Sequence, residues 1–269
     1  MELVISTDTS VEGVHWPVDF DLLKAADRAV CAALSDLAAM GAGALAAWLN
    51  VMARDTRAVE IMGMGGVAAL QRYDVELAGG DTSRASINAL SATVVGQVPE
   101  GRAMRRDRAE AGDAVWLLGK VGFASLGIEQ WLGGKQDGYF VQYLDDIHPK
   151  LQAGARLLEL GVKCCIDVSD GVLQDASHLA LASSVGMTLE LSSFPGWEIL
   201  CHKVGEKSAI RAVVSGGEDY ALLFTASPGM GWLDSFATRV GVCTDDINVE
   251  IQLNGTTLEG LTGGYDHFG

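Results

Sequence analysis

Five short segments of the chain end an apolar or β-rich run in carboxylates and small residues: Ser6-Thr7-Asp8-Thr9, Ser35-Asp36, Gly79-Gly80-Asp81-Thr82, Asp167-Val168-Ser169-Asp170-Gly171 and Ser215-Gly216-Gly217-Glu218-Asp219-Tyr220. Taken singly, each has an ordinary explanation, because Asp, Ser and Gly are the residues of turns and helix N-caps. Taken together they ask for another. Carboxylates gathered at strand ends repel one another unless cations neutralise them, and the hard oxygens of Asp, Ser and Thr suit Mg²⁺. The chemistry implied is a multi-magnesium site for a polyphosphate. Asp167 and Asp170 lie three residues apart across a strand-to-helix transition, so one can hold a metal while the other caps the first turn or reaches a second cation. Asp36 sits alone among alanines, where an acid is more often solvated or ion-paired than a ligand. Ser169 and the helix beginning near Gly171 offer backbone N–H groups to a phosphate. Arg105 and Arg106 offer a cationic contact or are simply solvated, and His15 follows the first cluster closely enough to touch the same site or to be a structural histidine.

Other chemistries find less support. Gly63-Met64-Gly65-Gly66-Val67-Ala68 formally fits the dinucleotide fingerprint, with Asp81 lying 18 residues beyond Gly63. That fingerprint must open a helix directly after a strand, whereas Thr56 to Met62 reads as helix, so the match is set aside. There is no G-x-x-x-x-G-K-[ST] phosphate loop and no G-x-S-x-G nucleophile elbow, and none of the five histidines has a motif partner. The terminal Gly263-Gly264-Tyr265-Asp266-His267-Phe268 is aromatic and glycine-rich at an end that normally frays, and is expected to dock on the body or cover a ligand.

The elements that must position these residues follow from periodicity. Residues 2 to 7 read as a strand ending at Asp8. From Asp21 to Met40, apolar residues at three- and four-residue spacing predict a helix, stopped by Gly41 and Gly43. Strands are predicted at 44–52 and at 74–78, the latter running into Gly79-Gly80-Asp81, with a helix at 57–72 between them and a long β-rich run at 87–98. The polar stretch from Glu100 to Gly112 has no apolar period and reads as a connection, which places a lobe boundary near residue 111. Beyond it come a strand at 114–118, helices at 123–132 and 150–160, a strand at 164–168, a helix at 172–184, and strands at 187–191 and 212–214. Such alternation indicates α/β or α+β layering.

Composition narrows the class. With 269 residues, 49% hydrophobic and 20% charged, the chain is globular and long enough for two lobes. A net charge of −16 repels a phosphate backbone, so nucleic acid is excluded as a partner and any bound phosphate needs cations. No apolar run approaches the roughly 20 residues of a membrane span, and no basic region precedes an apolar stretch at Met1, which predicts a soluble, cytoplasmic protein. Five cysteines without a C-x-x-C pair support neither a disulfide framework nor a zinc site.

The segments STDTSVEGVHW, ALSDLAAMGA, LAGGDTS, IDVSDG, SGGEDYALLF and GYDHF occur in the order and spacing of one family. The chain resembles the thiamine-monophosphate kinases of the aminoimidazole-ribotide-synthetase-like superfamily, nearly end to end. The resemblance implies a two-lobed α/β (α+β) fold: an N-terminal lobe, residues 1–111, that dimerises through its sheet, and a C-terminal α/β lobe, residues 112–269, with ATP in the cleft between them. It implies transfer of the γ-phosphoryl of ATP onto thiamine monophosphate, with several Mg²⁺ ions, no phosphoenzyme, and K⁺ left open. By motif, Ser6, Thr7, Asp8, Asp36, Asp81, Asp167 and Asp170 resemble metal ligands, with Asp8, Asp81 and Asp170 the catalytic candidates. Gly80, Asp81, Arg106 and Ser169 resemble ATP contacts, and His15, Glu218 and Tyr265 resemble residues that hold thiamine phosphate. Family members usually carry about thirty residues before the STDT strand, including a metal-binding G-D-D segment, so reduced or lost activity is expected of the chain as it stands. Two other readings stay open here: a sister ATP-dependent enzyme with another acceptor, and a non-catalytic binder of nucleotide or thiamine phosphate. Selenophosphate synthetase is disfavoured, because Cys31 lies inside a helix rather than in a reactive N-terminal segment.

Overall fold

The computed structural model describes residues 1–145 and 147–264. The chain divides into two compact units, Met1–Ala103 with Ile128–Ala155, and Met104–Gly127 with Arg156–Gly269.

The first unit is a four-stranded sheet in the order β1-β4-β2-β3, built from β1 (Glu2–Val11), β2 (Gly43–Ala53), β3 (Glu76–Arg84) and β4 (Ala89–Val98). β1 and β2 each pair antiparallel with β4, while β2 and β3 run parallel. Alternation decides the faces: Val4, Leu90, Ala92, Val94, Leu49 and Val51 are buried, on the face covered by α1 (Leu22–Ala39) and α2 (Thr56–Arg72). The opposite face leaves Leu3 and Ile5 64% exposed and Trp48 39% exposed. α1 starts where the Asp21 carboxylate accepts the Leu23 N–H at 2.8 Å, and Asp55 caps α2 through Ala58 at 2.9 Å. The Gly63–Ala68 segment lies inside α2, as its helical context predicts. Two of its three glycines serve packing: a Cβ on Gly65 would stand 2.2 Å from the Leu23 carbonyl oxygen, and one on Gly66 2.8 Å from a Leu49 methyl. Residues 128–155 contain α4 (Gln142–Asp145) and join this unit through side chains rather than strands. Trp131 packs edge-on against Phe20 with centroids 5.0 Å apart, buried Arg28 donates to the Leu144 carbonyl at 3.0 Å, and Tyr73 meets His148 at 3.1 Å.

The second unit carries a seven-stranded sheet in the order β11-β10-β7-β9-β5-β8-β6. Its strands are β5 (Ala114–Leu118), β6 (Cys164–Val168), β7 (Gly186–Glu190), β8 (Ala221–Ala226), β9 (Thr238–Thr244), β10 (Val249–Leu253) and β11 (Thr256–Thr257). Only β10 and β7 pair in parallel; the other neighbours are antiparallel. β6 and β8 are buried along their whole length, consistent with strands covered on both faces. The helices are α6 (Val172–Ser183), α7 (Trp197–Val204) and α8 (Glu206–Ser215), while α3 (Phe123–Leu132) and α5 (Leu151–Glu159) span the points of division.

Three elements differ from expectation. β1 runs on to Val11 because Asp8 and Thr9 keep their pairing with Ala92 and Ser91. The strand expected at 74–78 begins at Glu76 and runs on through Gly79-Gly80-Asp81 to Arg84, held by parallel pairing to Trp48, Leu49 and Asn50. Residues 212–214 are helix, not strand: Ala209, Ala212 and Val213 form the buried stripe of α8, and three apolar residues are too few to tell the two periods apart. All five cysteines are free, and burial with the nearby Asp27 carboxylate pushes the Cys31 thiol up to about 12.

Candidate functional site

In the first unit, β1 brings its acids to the helix-covered face. Ser6 pairs with Val94 and Asp8 with Ala92, two buried positions, so both side chains point toward α1. There the Ser6 hydroxyl donates to Asp36 Oδ2 at 2.5 Å. Thr7 takes the other face, its hydroxyl 2.9 Å from that of Thr93. Asp81 also lies on the open face. The row Thr9, Ser91, Asn50, Asp81 crosses the sheet from edge to edge, and Thr9 bonds Ser91 at 2.9 Å along it. Asp8 and Asp81 therefore occupy opposite faces of opposite edge strands, about 14 Å apart by strand spacing. One chain joins Ser6, Asp8 and Asp36 and keeps Asp81 away from them.

Among the described residues, no group of three or more His, Cys, Asp or Glu gathers to hold a metal. Mg²⁺ needs less than that, since it keeps waters and takes one or two carboxylates together with substrate phosphates. The Asp36 carboxylate in contact with the Ser6 hydroxyl, with Asp8 two residues along the same strand face, is an oxygen set of that kind. Asp81 is exposed, and its Oδ2 accepts from Ser83 at 3.2 Å. Gly80 before it has φ +153° and no room for a Cβ, which would lie 1.9 Å from the Leu49 carbonyl oxygen. The glycine thus lets β3 press against β2 where Asp81 is displayed. Two cavities flank this strand, one of about 340 Å³ lined by Gly63, Leu77, Gly80 and Asp81, the other of about 380 Å³ lined by Arg54, Thr56, Ser83 and Arg84.

His15 sits in a braced loop. Its Nδ1 accepts the Val11 N–H at 3.1 Å, so the proton of the neutral ring is on Nε2, which makes that nitrogen a donor. The adjacent Glu12 is buried, pairs with Arg54 at 2.6 Å and accepts from the Asn88 amide at 3.2 Å. No motif pointed to this brace. Its signal was an acid and an arginine 42 residues apart, and only the fold pairs those.

In the second unit, two loops lie on each other. Glu218 N–H donates to the Ser169 carbonyl at 2.8 Å and Tyr220 N–H to that of Val168 at 2.9 Å, which sets the loop of Glu218 against the end of β6, with Asp167, and the loop after it, with Ser169 and Asp170. Asp167 is buried at the end of β6, and Asp170 accepts from Gln174 at 3.0 Å. The N–H of Ser169, expected to face a phosphate, donates instead to Asp175 at 3.0 Å, and the N–H of Asp170 joins it at 3.1 Å. Asp175 is buried in the first turn of α6, and its carboxyl is pushed up to about 7 by burial and by the charges of Asp170 and Asp167, against the pull of the two N–H donors. Arg105 is engaged by Asp107 at 2.9 Å, while Arg106 is exposed with no ion pair among the described residues. Tyr265 lies outside the described residues.

Comparison with known proteins agrees with these motifs. Residues 1–98 match the AIR synthase related protein N-terminal domain and residues 110–233 its C-terminal domain. Thiamine-monophosphate kinase from Salmonella typhimurium is 32% identical over 99% of this chain and 86% of its own length. The chain belongs to the thiamine-monophosphate kinase family. Among solved structures of thiamine-monophosphate kinases, that from Stenotrophomonas maltophilia K279a is 31% identical and superposes with a TM-score of 0.86, over 96% of this chain and 86% of that one. AaThiL complexed with AMPPCP and TMP superposes with a TM-score of 0.87 at 26% identity, over 99% of this chain and 87% of that one. Within the thiamine-monophosphate kinase family, the α/β expectation for the fold holds: both of this chain's sheets carry helices.

Proposed function

We propose that the protein transfers the γ-phosphoryl of ATP directly onto the phosphate of thiamine monophosphate, yielding thiamine diphosphate and ADP. The observation that carries this is the likeness, over 99% of the chain, to a relative solved with AMPPCP and TMP, supported by identity above 30% to curated kinases of that name. The chemistry suits the residues. Bringing two anions together for in-line transfer calls for positioning and charge neutralisation and for no protein nucleophile, and the sequence offers no nucleophile motif.

Asp36, Asp8 and Ser6 would hold Mg²⁺ in the first unit, Asp167 and Asp170 in the second. When bound, the cation supplies neutralisation of phosphoryl oxygens in an otherwise acidic protein. Gly80, Asp81, Arg106 and Ser169 are assigned to ATP, Ser169 through its hydroxyl since its N–H is committed to Asp175. His15 donates from Nε2 to a phosphate oxygen of the acceptor, with Glu12, Arg54 and Asn88 holding its loop. Glu218 balances the cationic thiazolium or accepts from the aminopyrimidine, and Tyr265 completes the acceptor set. Two copies of the chain pair through the open face of the first sheet, where Leu3, Ile5 and Trp48 are exposed. No described helix is long and apolar enough to cross a membrane, which suits a cytosolic enzyme.

The test is formation of thiamine diphosphate from ATP and thiamine monophosphate, with Mg²⁺ and with EDTA, in the presence and absence of K⁺. Product that requires Mg²⁺ is expected. A folded protein that binds ATP and yields none would move the assignment to another acceptor.

A further inference from the structure

The Asp219 carboxylate reaches 95 or more residues back along the chain to the start of α3. Its Oδ2 accepts the Gly122 N–H at 2.6 Å, and its Oδ1 accepts those of Phe123 at 3.1 Å and Ala124 at 2.9 Å. A helix start leaves several N–H groups without intrahelical partners, and an ionised carboxylate is their strongest acceptor. A neighbouring Ser or Asp would serve that need, so the remote partner does something a local cap would not: it ties the loop of residues 215–220 to α3.

That loop needs tying. Glu218 has φ +74° and Tyr220 φ +51°, so two side-chain-bearing residues on either side of Asp219 are held in the left-handed region, where such residues stay only when their surroundings fix them. The surroundings are close. A Cβ on Gly217 would lie 2.2 Å from the Ser169 carbonyl oxygen, and one on Gly216 2.2 Å from that of Ala212. The backbone on both sides is bonded to residues 168 and 169, and the Tyr220 hydroxyl donates to Glu218 Oε2 at 3.3 Å.

We propose that Asp219 is a positioning residue for the acceptor: by fastening the loop to the N-terminus of α3, it sets the backbone conformation from which Glu218 meets thiamine monophosphate. The proposal rests on the kinase reading and on the acceptor role of Glu218. Asp219 itself touches backbone N–H groups and acts through Glu218.

The test compares wild type with Asp219→Asn, Asp219→Ser, Glu218→Ala and the double variant Glu218→Ala/Asp219→Asn. KM for each substrate, the Kd of thiamine monophosphate by calorimetry and the thermal midpoint are measured. Asp219→Ser keeps an ordinary capping oxygen, so α3 retains an acceptor if the Asn variant fails to fold. The expected result is a folded Asp219 variant whose KM and Kd for thiamine monophosphate rise on the order of tenfold while the KM for ATP stays within about twofold, and a double variant no weaker than Glu218→Ala, since coupled residues are not additive. A folded variant with wild-type KM for thiamine monophosphate overturns the proposal, as do additive effects in the double variant. Loss of folding in both Asp219 variants assigns the residue to stability and also overturns it. Wild type that neither binds nor phosphorylates thiamine monophosphate overturns the kinase reading itself, and this proposal with it.

Discussion

Asp81, on an edge strand of the first unit, stands in solvent and takes one hydroxyl, that of Ser83, whereas Asp175 and Asp219 in the second unit are occupied by backbone N–H groups, two on one and three on the other. All three follow glycine or lie within a few residues of one, and in sequence they look alike. Their neighbours separate them. A carboxylate on a strand edge keeps lone pairs for a ligand, while one that fills the start of a helix or the inside of a loop builds the frame around the ligand. The first kind is sensitive in function and the second in position or stability.

The largest effect expected on that division is at Asp81. Asp81→Asn should lower Mg²⁺-dependent transfer on the order of a hundredfold or more, because a neutral amide is a poor ligand for the Mg²⁺ that accompanies ATP, with the thermal midpoint unchanged because the side chain is exposed and its bond to Ser83 survives. Thiamine diphosphate formation and a melting curve check both halves. An unchanged rate would take Asp81 out of the site and with it one side of the comparison.

Asp175 should behave in the opposite sense. Its carboxyl titrates near 7 in the folded protein, through burial first and the Asp170 and Asp167 charges next, against an ordinary value of 3.8. A raised folded value means the native state binds the proton more tightly, so the stabilisation is complete below about pH 4 and is lost as pH rises toward 7. Wild type should therefore lose on the order of 3 kcal/mol of unfolding free energy relative to Asp175→Asn between pH 4 and pH 7. Denaturant titrations of both proteins in EDTA measure it. A difference that is flat with pH would show that the Ser169 and Asp170 N–H groups hold the carboxylate ionised throughout.

What was legible in the sequence follows the same line between local and remote causes. α1 was legible because its apolar residues repeat at the helical period over 18 residues and its cap, Asp21, is adjacent. The clusters around Asp8, Asp81, Asp170 and Glu218 were visible as residue types. Their faces were not, because the separation of Asp8 from Asp81 depends on strand order and on the irregular pairing near Trp48. Nor was the return of residues 128–155 to the first unit, which rests on single contacts such as Arg28 with Leu144. The glycine run of α2 shows how context decides. Gly65→Ala should destabilise by about 2 kcal/mol, since its methyl meets backbone of α1. Gly63→Ala, open on all sides, should instead stabilise slightly through helix propensity. Equal effects in denaturant titration would mean that this seam does not hold the two helices together.

The smallest effect tests whether burial, rather than bonding to backbone, distinguishes the second unit's acids. Glu190 also accepts backbone N–H groups, from Ser192 at 3.0 Å, Asn254 at 2.9 Å and Gly255 at 2.8 Å, and the Ser192 hydroxyl at 2.6 Å. Unlike Asp175 it is only half-buried. The modest burial that works against its charge is outweighed by these donors, the Ser192 hydroxyl foremost, and its carboxyl is held down at about 2. A lowered folded value reverses the sign: the stabilisation is present above about pH 4.5 and is lost as pH falls toward 2. Because solvent still reaches and screens the carboxylate, the contribution should stay below about 1 kcal/mol. Glu190→Gln should thus be slightly less stable than wild type at pH 7 and indistinguishable from it near pH 2, as read by thermal denaturation. Opposite slopes at Asp175 and Glu190 would show that the same backbone donors stabilise a charge in water and fail to rescue it in the interior. Parallel slopes would mean that the N–H donors, and not burial, set the behaviour of these loops.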